Sequence, residues 1–427
     1  MNAMKKKIEF RDQYANQEEH YSKNIPLDFV YRFLSSFDIS GAIWVLYMVY
    51  KGLSLWQVGI VEGVFHVASF LFEVPSGALA DLLGKKKVIL AGRFCAALSS
   101  LLLLGAGNIY DFIVAFVISA LGYNLNSGSE EALLFDSMKK DGREQEYQKM
   151  SGRMEVVVEI SQAAAVFLGG ALSEYSFRYC YSAAITIALC SMLPAFFFRE
   201  PSIEPEDRKK AAGEGITEKD KQDSRDKKDD RLFHVNIEIR KHAAVCADIL
   251  RNNRAVRDIL IYYPAVEAFC AVVHFYGQEY FAQLGLNRIA ISLLMLVNGG
   301  MGTLGALSSD FLTKKLREHT RYAVSICIAL GCFLVSSGHL PVAVTGFFIM
   351  GFGAAVLYPL RSSELNRQIP SAQRATIISI DSMMFSAFML VVFPFMGFMA
   401  DIVGLTWAFL LNALFLTAVV WSGTATP

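Results

Sequence analysis

Residues 77–90 read GALADLLGKKKVIL, and apolar sequence long enough to cross a bilayer lies on both sides. One acid, three consecutive lysines and two glycines are packed into this short break. Gly84 permits a turn of only a few residues. The flanking segments can then lie antiparallel as neighbouring spans. Lysines at such a turn are retained on the cytoplasmic side of a membrane.

Outward from this break, the composition agrees. The chain has 427 residues, is 54% hydrophobic, and its polarity falls in a few short loops and one long one. Mean hydropathy is +0.37. These values place the chain among membrane proteins. A formal net charge of zero makes no case for a nucleic-acid partner. The seven cysteines are scattered, without CxxC or Cys/His spacing. They read as free thiols, with no metal and no cofactor expected. No GxxxxGK[ST] loop and no triad pattern occurs, so neither ATP-driven pumping nor an enzyme is expected. The first residues lack the apolar core of a signal peptide.

A span needs about 20 mostly apolar residues. Twelve are predicted, at 27–50, 55–80, 88–107, 109–137, 155–173, 179–198, 255–281, 289–312, 322–337, 340–360, 375–400 and 405–421. The fourth is too long to lie wholly in the membrane, and its end from Glu130 onward is expected to project into the cytoplasm. The predicted fold is an all-α membrane protein of two pseudo-symmetric six-helix bundles. A cytoplasmic tail (1–26), a first bundle (27–198), a linker (199–254) and a second bundle (255–427) divide the chain.

The loops support the count. Even-numbered loops carry Lys85–Lys87, then Lys139, Lys140, Arg143 and Lys149, then Lys314, Lys315, Arg317 and Arg321, then Arg361, Arg367 and Arg374. Odd-numbered loops hold only Lys51, Arg178 and Arg288. Both termini are therefore expected in the cytoplasm of a multi-pass cell-membrane protein. The linker opens with mixed charge and few apolar residues, a solvated stretch. It closes with Val235, Ile239, Cys246, Ile249 and Leu250 at helical spacing. An amphipathic helix there would lie on the inner leaflet or dock on the protein's own face.

The two halves echo each other. GALADLLGKKKV after the second span has a partner in GALSSDFLTKKL, residues 305–316, after the eighth. Asp81 and Asp310 each precede a lysine pair by the same interval. GGALSE (169–174) is echoed by GFMAD (397–401), each with a glycine four positions before an acid.

On these features the sequence resembles the major facilitator superfamily, whose loop signature GxLaDrxGrkxxl stands here as Gly77 through Ile89. FEVPSG (72–77), SGSEEALLFDS (127–137) and NRQIPSAQRATIIS (366–379) resemble a bacterial branch with drug-efflux members. Leu82 occupies the place usually held by a base, and the fifth span lacks the Gly-Pro of many drug/proton antiporters. The resemblance implies that Gly77, Asp81, Gly84, Lys85 and Lys86 form a gate contacting the other bundle on the cytoplasmic side. From the residues alone, Asp81 at a helix C-terminus opposes its own helix dipole and needs a donor. The lysines alone would also serve as topology determinants.

Charges inside spans are costly, about 2.5–3.5 kcal/mol for an acid at a helix centre, and are candidates for function. Glu62, His66, Ser69 and Glu73 share one face of the second span. Glu155, Glu159 and Gln162 repeat the pattern in the fifth, and Glu267, His274 and Gln278 in the seventh. Asp38 lies near the middle of the first, Asp381 in the eleventh, and Glu131 in the fourth. A carboxylate facing a low-dielectric cavity takes up a proton more readily than one in water, and histidine titrates near neutrality. The coupling or substrate candidates are therefore Asp38, Glu62, His66, Glu73, Glu131, Glu159, Glu267, His274 and Asp381. Structural pairing is the alternative: Glu62 with His66, Asp28 with Arg32, or Glu130/Glu131 with Arg361 between halves.

The expected partners are a small-molecule substrate, a proton or sodium ion, and the bilayer, for a monomer. The first reading is proton-driven efflux of amphiphilic or cationic compounds. The second is H⁺- or Na⁺-coupled uptake of a small solute. A sensor or lipid-interacting protein on the same fold is the reading from another class.

Overall fold

The computed structural model describes residues 21, 23–201, 253–368 and 374–424. Most of the N-terminal tail and the linker, including its expected amphipathic helix, lie outside these residues.

Thirteen α-helices are described: α1 Asn24–Ser35, α2 Trp44–Tyr50, α3 Leu55–Leu83, α4 Lys85–Gly105, α5 Ile109–Lys140, α6 Tyr147–Tyr175, α7 Phe177–Phe197, α8 Arg254–Gln283, α9 Arg288–Leu316, α10 Thr320–Val335, α11 Leu340–Gln368, α12 Arg374–Val403 and α13 Leu405–Thr424. Ten of them, α3–α9 and α11–α13, are long and apolar enough to cross a membrane, and α10 is a shorter apolar helix. The expected first span is not continuous. It breaks between α1 and α2, where residues 36–43 are non-helical. Two other spans run about eight residues further than expected: α6 begins at Tyr147 and α11 continues to Gln368.

Helix starts follow local chemistry. The first N–H groups of a helix lack partners within it. Ser54 and Asn108 cap α3 and α5 through reciprocal capping boxes with Gln57 and Asp111. Ser176 and Asn287 cap α7 and α9. At the opposite, lysine-rich end, α3 and α4 are separated by Gly84 alone, at φ 92°. Only glycine takes that backbone conformation without strain. The freed amides of Lys85 and Lys86 each donate to the Glu200 carboxylate at 2.8 Å.

The same packing pattern occurs twice. In the N-terminal half, α3 packs on α5, α4 on α5, α4 on α7, and α1 on α7. In the C-terminal half, α9 packs on α11, α10 on α11, α10 on α13, and α8 on α13. Counting the broken α1–α2 as one element, each contact in the first set has its counterpart six elements later. Gly92 and Gly122 let α4 and α5 touch backbone to backbone, and Gly331 and Gly346 do so for α10 and α11. A Cβ at any of these glycines would overlap the facing helix, a small-residue contact typical of helix pairs in lipid.

Among the described residues, the most extensive contacts between the halves are α3 with α12, α6 with α9, and α2 with α8. The α8 helix is the most enclosed, with 72% of its apolar window buried against 28–39% for the other long helices. Large apolar side chains such as Leu307, Val391 and Trp421 face outward, as expected for a lipid-facing surface rather than a soluble one.

Candidate functional site

The site starts at the break in the first span. Asp38 Oδ1 accepts from both the amide and the hydroxyl of Ser40. This local side-chain turn competes with helix continuation. Unwound backbone within a membrane must find partners in protein, and here it does. Arg93 Nη1 donates to Ser35 O at 3.3 Å. Cys180 Sγ donates to Ile39 O at 3.7 Å. Gln278, fully buried on α8, donates through Nε2 to Gly41 O and accepts from Val45 N, both at 3.2 Å. One side chain of the C-terminal half thus clamps the broken helix of the N-terminal half.

Close contacts between halves concentrate at the end carrying the odd-numbered loops. The Asp401 carboxylate, at the end of α12, accepts from Leu55 N and Trp56 N at 2.9 Å each. With Ser54 accepting from Gln57 N, the first three amides of α3 are satisfied. Related by the internal repeat, Glu174 at the end of α6 accepts from Arg288 N at the start of α9 at 2.9 Å. The repeated glycines accompany these acids. A Cβ on Gly397 would overlap Leu55 O and Tyr276 Oη, and one on Gly170 would overlap Ser292. The repeat seen in GGALSE and GFMAD is thus a pair of inter-half helix caps, each packed through a glycine.

Below this closure lies a cavity of about 590 Å³ between the halves. Asp38, Glu159, Gln162, His274, Met295 and Thr303 are among its lining residues, and among the described residues no lysine or arginine is. His274 stacks on Phe347 and meets Phe275 edge-on. Asp38 also borders a second cavity, of about 380 Å³, inside the N-terminal half, with Arg93, Asn126 and Glu130. There Arg93 Nε donates to Ser191 Oγ at 2.7 Å, and Tyr31 donates to Glu130 at 2.7 Å.

The remaining candidates fall elsewhere. Glu62 and His66 approach to 3.6 Å within α3, and His66 Nδ1 lies 3.2 Å from Ser386 Oγ on α12. Asp28 pairs with Arg32 at 2.9 Å. Glu267 and Asp381 share one arginine: Arg361 reaches Glu267 at 2.8 Å and Asp381 at 3.3 Å. Arg361, expected as a loop charge with Glu130 or Glu131 as partner, is thus an internal residue of α11 paired within its own half. Among the described residues, Asp381 Oδ1 has no hydrogen-bond partner. A cavity of about 90 Å³ reaches Glu267 and Arg361 beside Tyr263 and Tyr358. Glu131 is exposed and Glu73 half-buried; neither lines these cavities.

At the lysine-rich end, Lys85 pairs with Asp136 and also donates to Ala132 O. Both belong to α5, in its own half. Lys86 meets Glu200 through its backbone amide. Among the described residues, a Cβ on Gly77 would meet nothing within 4 Å, nor would one on Gly299 or Gly300 of α9. The side chain of Asp81 lies outside the described part. Among the described residues no group of His, Cys, Asp and Glu is arranged to hold a metal.

Sequence reasoning passed over Arg93, although an arginine eight positions into an apolar helix was a visible signal. It named Gln278 only as part of a polar face. Nothing local marked it, because its partners are 237 and 233 positions away.

The comparisons agree with this architecture. An uncharacterized MFS-type transporter, YxaM of Bacillus subtilis (strain 168), is 22% identical over 350 residues, covering 81% of this chain and 80% of that protein. The crystal structure of the nucleoside transporter NupG superposes with TM-score 0.73 at 14% identity, over 95% of this chain and 98% of that one. The D-xylose–proton symporter superposes with TM-score 0.67 at 13% identity, over 94% and 97%. These likenesses show the fold. The sequence model of the Major Facilitator Superfamily matches residues 29–337, and with the repeated helix packing, the broken first span and the cavity between halves, the chain belongs to that superfamily as a multi-pass membrane transporter.

Proposed function

We propose that the protein is a proton-coupled secondary transporter that moves a cationic, amphiphilic small molecule out of the cell by alternating access. In this reading the broken α1–α2 counts as one crossing and α10 as another. That makes twelve crossings in two bundles, 27–198 and 255–427, with both termini cytoplasmic. The lysine-rich end is then the cytoplasmic one, and the closure by Asp401 and Glu174 is the outer gate. The observation that carries the reading is the central cavity: among the described residues it has Asp38 and Glu159 in its wall and no lysine or arginine. Such a wall attracts a cation, and its apolar members, including Met295 and Val166, accept the rest of an amphiphile.

The steps follow from charge balance. With the cytoplasmic end open, a cation enters and its charge replaces a proton on Asp38 or Glu159. The halves then rock, the outer gate opens, and a proton from outside displaces the cation. Glu62, His66, Glu267 and Asp381 serve as secondary proton sites. Asp381 is the favoured one, because among the described residues its Oδ1 accepts no hydrogen bond and its arginine is already shared with Glu267. Glu73, Glu131 and the Gly77–Lys86 turn belong to the cytoplasmic gate.

Everted vesicles with an imposed pH gradient test this. Uptake of a lipophilic cation into the vesicles should require an acidic interior. Asp38→Asn and Glu159→Gln should each lower turnover about tenfold or more, from loss of a charged contact of ~1.5–3 kcal/mol. Transport indifferent to the gradient and to both variants would sink the coupling. The gate has its own check: Asp81→Asn should reduce turnover severalfold while membrane levels stay near normal, and an unchanged rate would count against a gating role. A second reading, proton symport of a small solute inward, draws on the fold shared with the D-xylose–proton symporter. Accumulation of an uncharged solute in right-side-out vesicles would favour it.

A further inference from the structure

The three basic residues that stand in odd-numbered loops are far apart in sequence, yet they meet. Lys51 follows α2, Arg178 lies in the first turn of α7, and Arg288 begins α9. All three line one cavity of about 690 Å³ at the odd-loop end, with Tyr47, Tyr50 and Tyr175. Among the described residues, no Asp or Glu is in its lining. The neighbouring acid Glu174 spends Oε2 on the amide of Arg288.

Two of the cations are held in place. Lys51 donates to Ala106 O at 2.8 Å and lies over the Tyr47 ring at 5.5 Å. Arg288 donates to Ser173 O and stacks 4.1 Å from the Phe177 ring centroid. Carbonyl and ring contacts orient these groups without neutralising them. Among the described residues, none of the three forms a salt bridge with a side chain. Like charges gathered in one recess repel unless an anion joins them. The even-numbered loops carry the basic residues that set topology, so these three stand out.

We propose that this recess is a binding site for a phosphate-type anion, with a lipid headgroup as its expected bearer. Tyr50 and Tyr175 are 67% and 83% exposed. Amphipathic rings at a membrane edge mark headgroup level, where a lipid phosphate would enter beside them. Lys51 and Arg178 come from the N-terminal half and Arg288 from the C-terminal half. The anion therefore bridges the seam next to the Glu174 cap and favours the state closed at this end. This site is independent of which solute the transporter carries.

The test uses full-length protein in a non-ionic detergent, titrated separately with short-chain phosphatidylglycerol, short-chain phosphatidylcholine and inorganic phosphate. Binding is read by native mass spectrometry and by the shift in thermal midpoint. Phosphatidylglycerol should bind saturably, and Lys51→Gln, Arg178→Gln and Arg288→Gln should each weaken it about tenfold, the cost of losing one charged contact. Arg178 is exposed, so that variant keeps the fold and holds the test open if Arg288→Gln does not. Saturable binding of inorganic phosphate with no preference for the lipid would support the anion site and assign it a soluble ligand. Equal binding of phosphatidylglycerol by wild type and Arg178→Gln, or no saturable binding of either anion, would overturn the proposal.

Discussion

Combining Asp401→Asn with Glu174→Gln is expected to shift the protein strongly toward the state open at the odd-loop end. Each acid caps the first turn of a helix in the opposite half. Such a cap contributes ~0.5–2 kcal/mol, and both carboxylates are exposed, which favours the lower part of that range. Two caps worth ~2 kcal/mol together amount to a change of about thirtyfold in the balance of states. Under the proposed alternating access these contacts are weak enough to open, because on opening the amides and carboxylates pass to water. Spin-label distances across each end would measure the shift. A steric variant gives an independent check: Gly397→Val places a side chain against Leu55 O and Tyr276 Oη and should move the distances in the same direction. Unchanged distances in both would mean that the caps do not hold this end shut.

The second large effect is expected at Arg361. Its side chain is 13% exposed and stands between Glu267 and Asp381, the latter also 13% exposed. Arg361→Gln leaves two acids facing each other with their cation gone. Breaking a buried pair from one side costs about 3–5 kcal/mol. Glu267 is 45% exposed, so solvent relieves part of this and the lower figure is expected. The thermal midpoint in detergent should fall clearly. Adding Asp381→Asn to Arg361→Gln should restore much of the loss, since the strain comes from uncompensated charge rather than lost volume. The two substitutions should therefore be far from additive. Arg361→Gln as stable as wild type, or no rescue by Asp381→Asn, would show that the triad does not work as a unit. Coupling can be read separately: in the rescued double variant, a role of Asp381 in proton binding predicts that pH-driven transport stays impaired although stability has returned.

The residues that local physics governs were legible before any coordinates. The caps Ser54, Asn108 and Asn287 are of this local kind, a short polar side chain reaching amides a few positions on, although sequence reasoning did not name them. Gly84 turns because no other residue takes its φ without strain. The Glu62–His66 and Asp28–Arg32 pairs follow from helical periodicity. The break in the first span was less visible. Residues 27–50 are apolar enough to read as one helix, and the Asp38–Ser40 turn has a signature too short to outweigh that average.

The placement of charge between distant segments was not legible. Arg361 was read as a loop base because it follows an apolar run; the helix continues past it, and its carboxylates are 94 positions upstream and 20 downstream. Lys85 found Asp136 on a neighbouring helix of its own half. The paired glycines and acids of GGALSE and GFMAD were visible as an echo, but their use as caps across the seam was not.

By itself, the sequence determined that the chain lives in a bilayer, that its halves repeat, and that acids are embedded where hydrocarbon alone would exclude them. Hydropathy, periodicity and caps are properties of neighbouring residues, so they survive in one dimension. Only the tertiary structure decided which acids share a cavity, which are neutralised by Arg361, and which end of the seam is shut. Those outcomes depend on hydrogen bonds and ion pairs a few ångströms long between residues up to 346 positions apart, and no local pattern encodes that proximity.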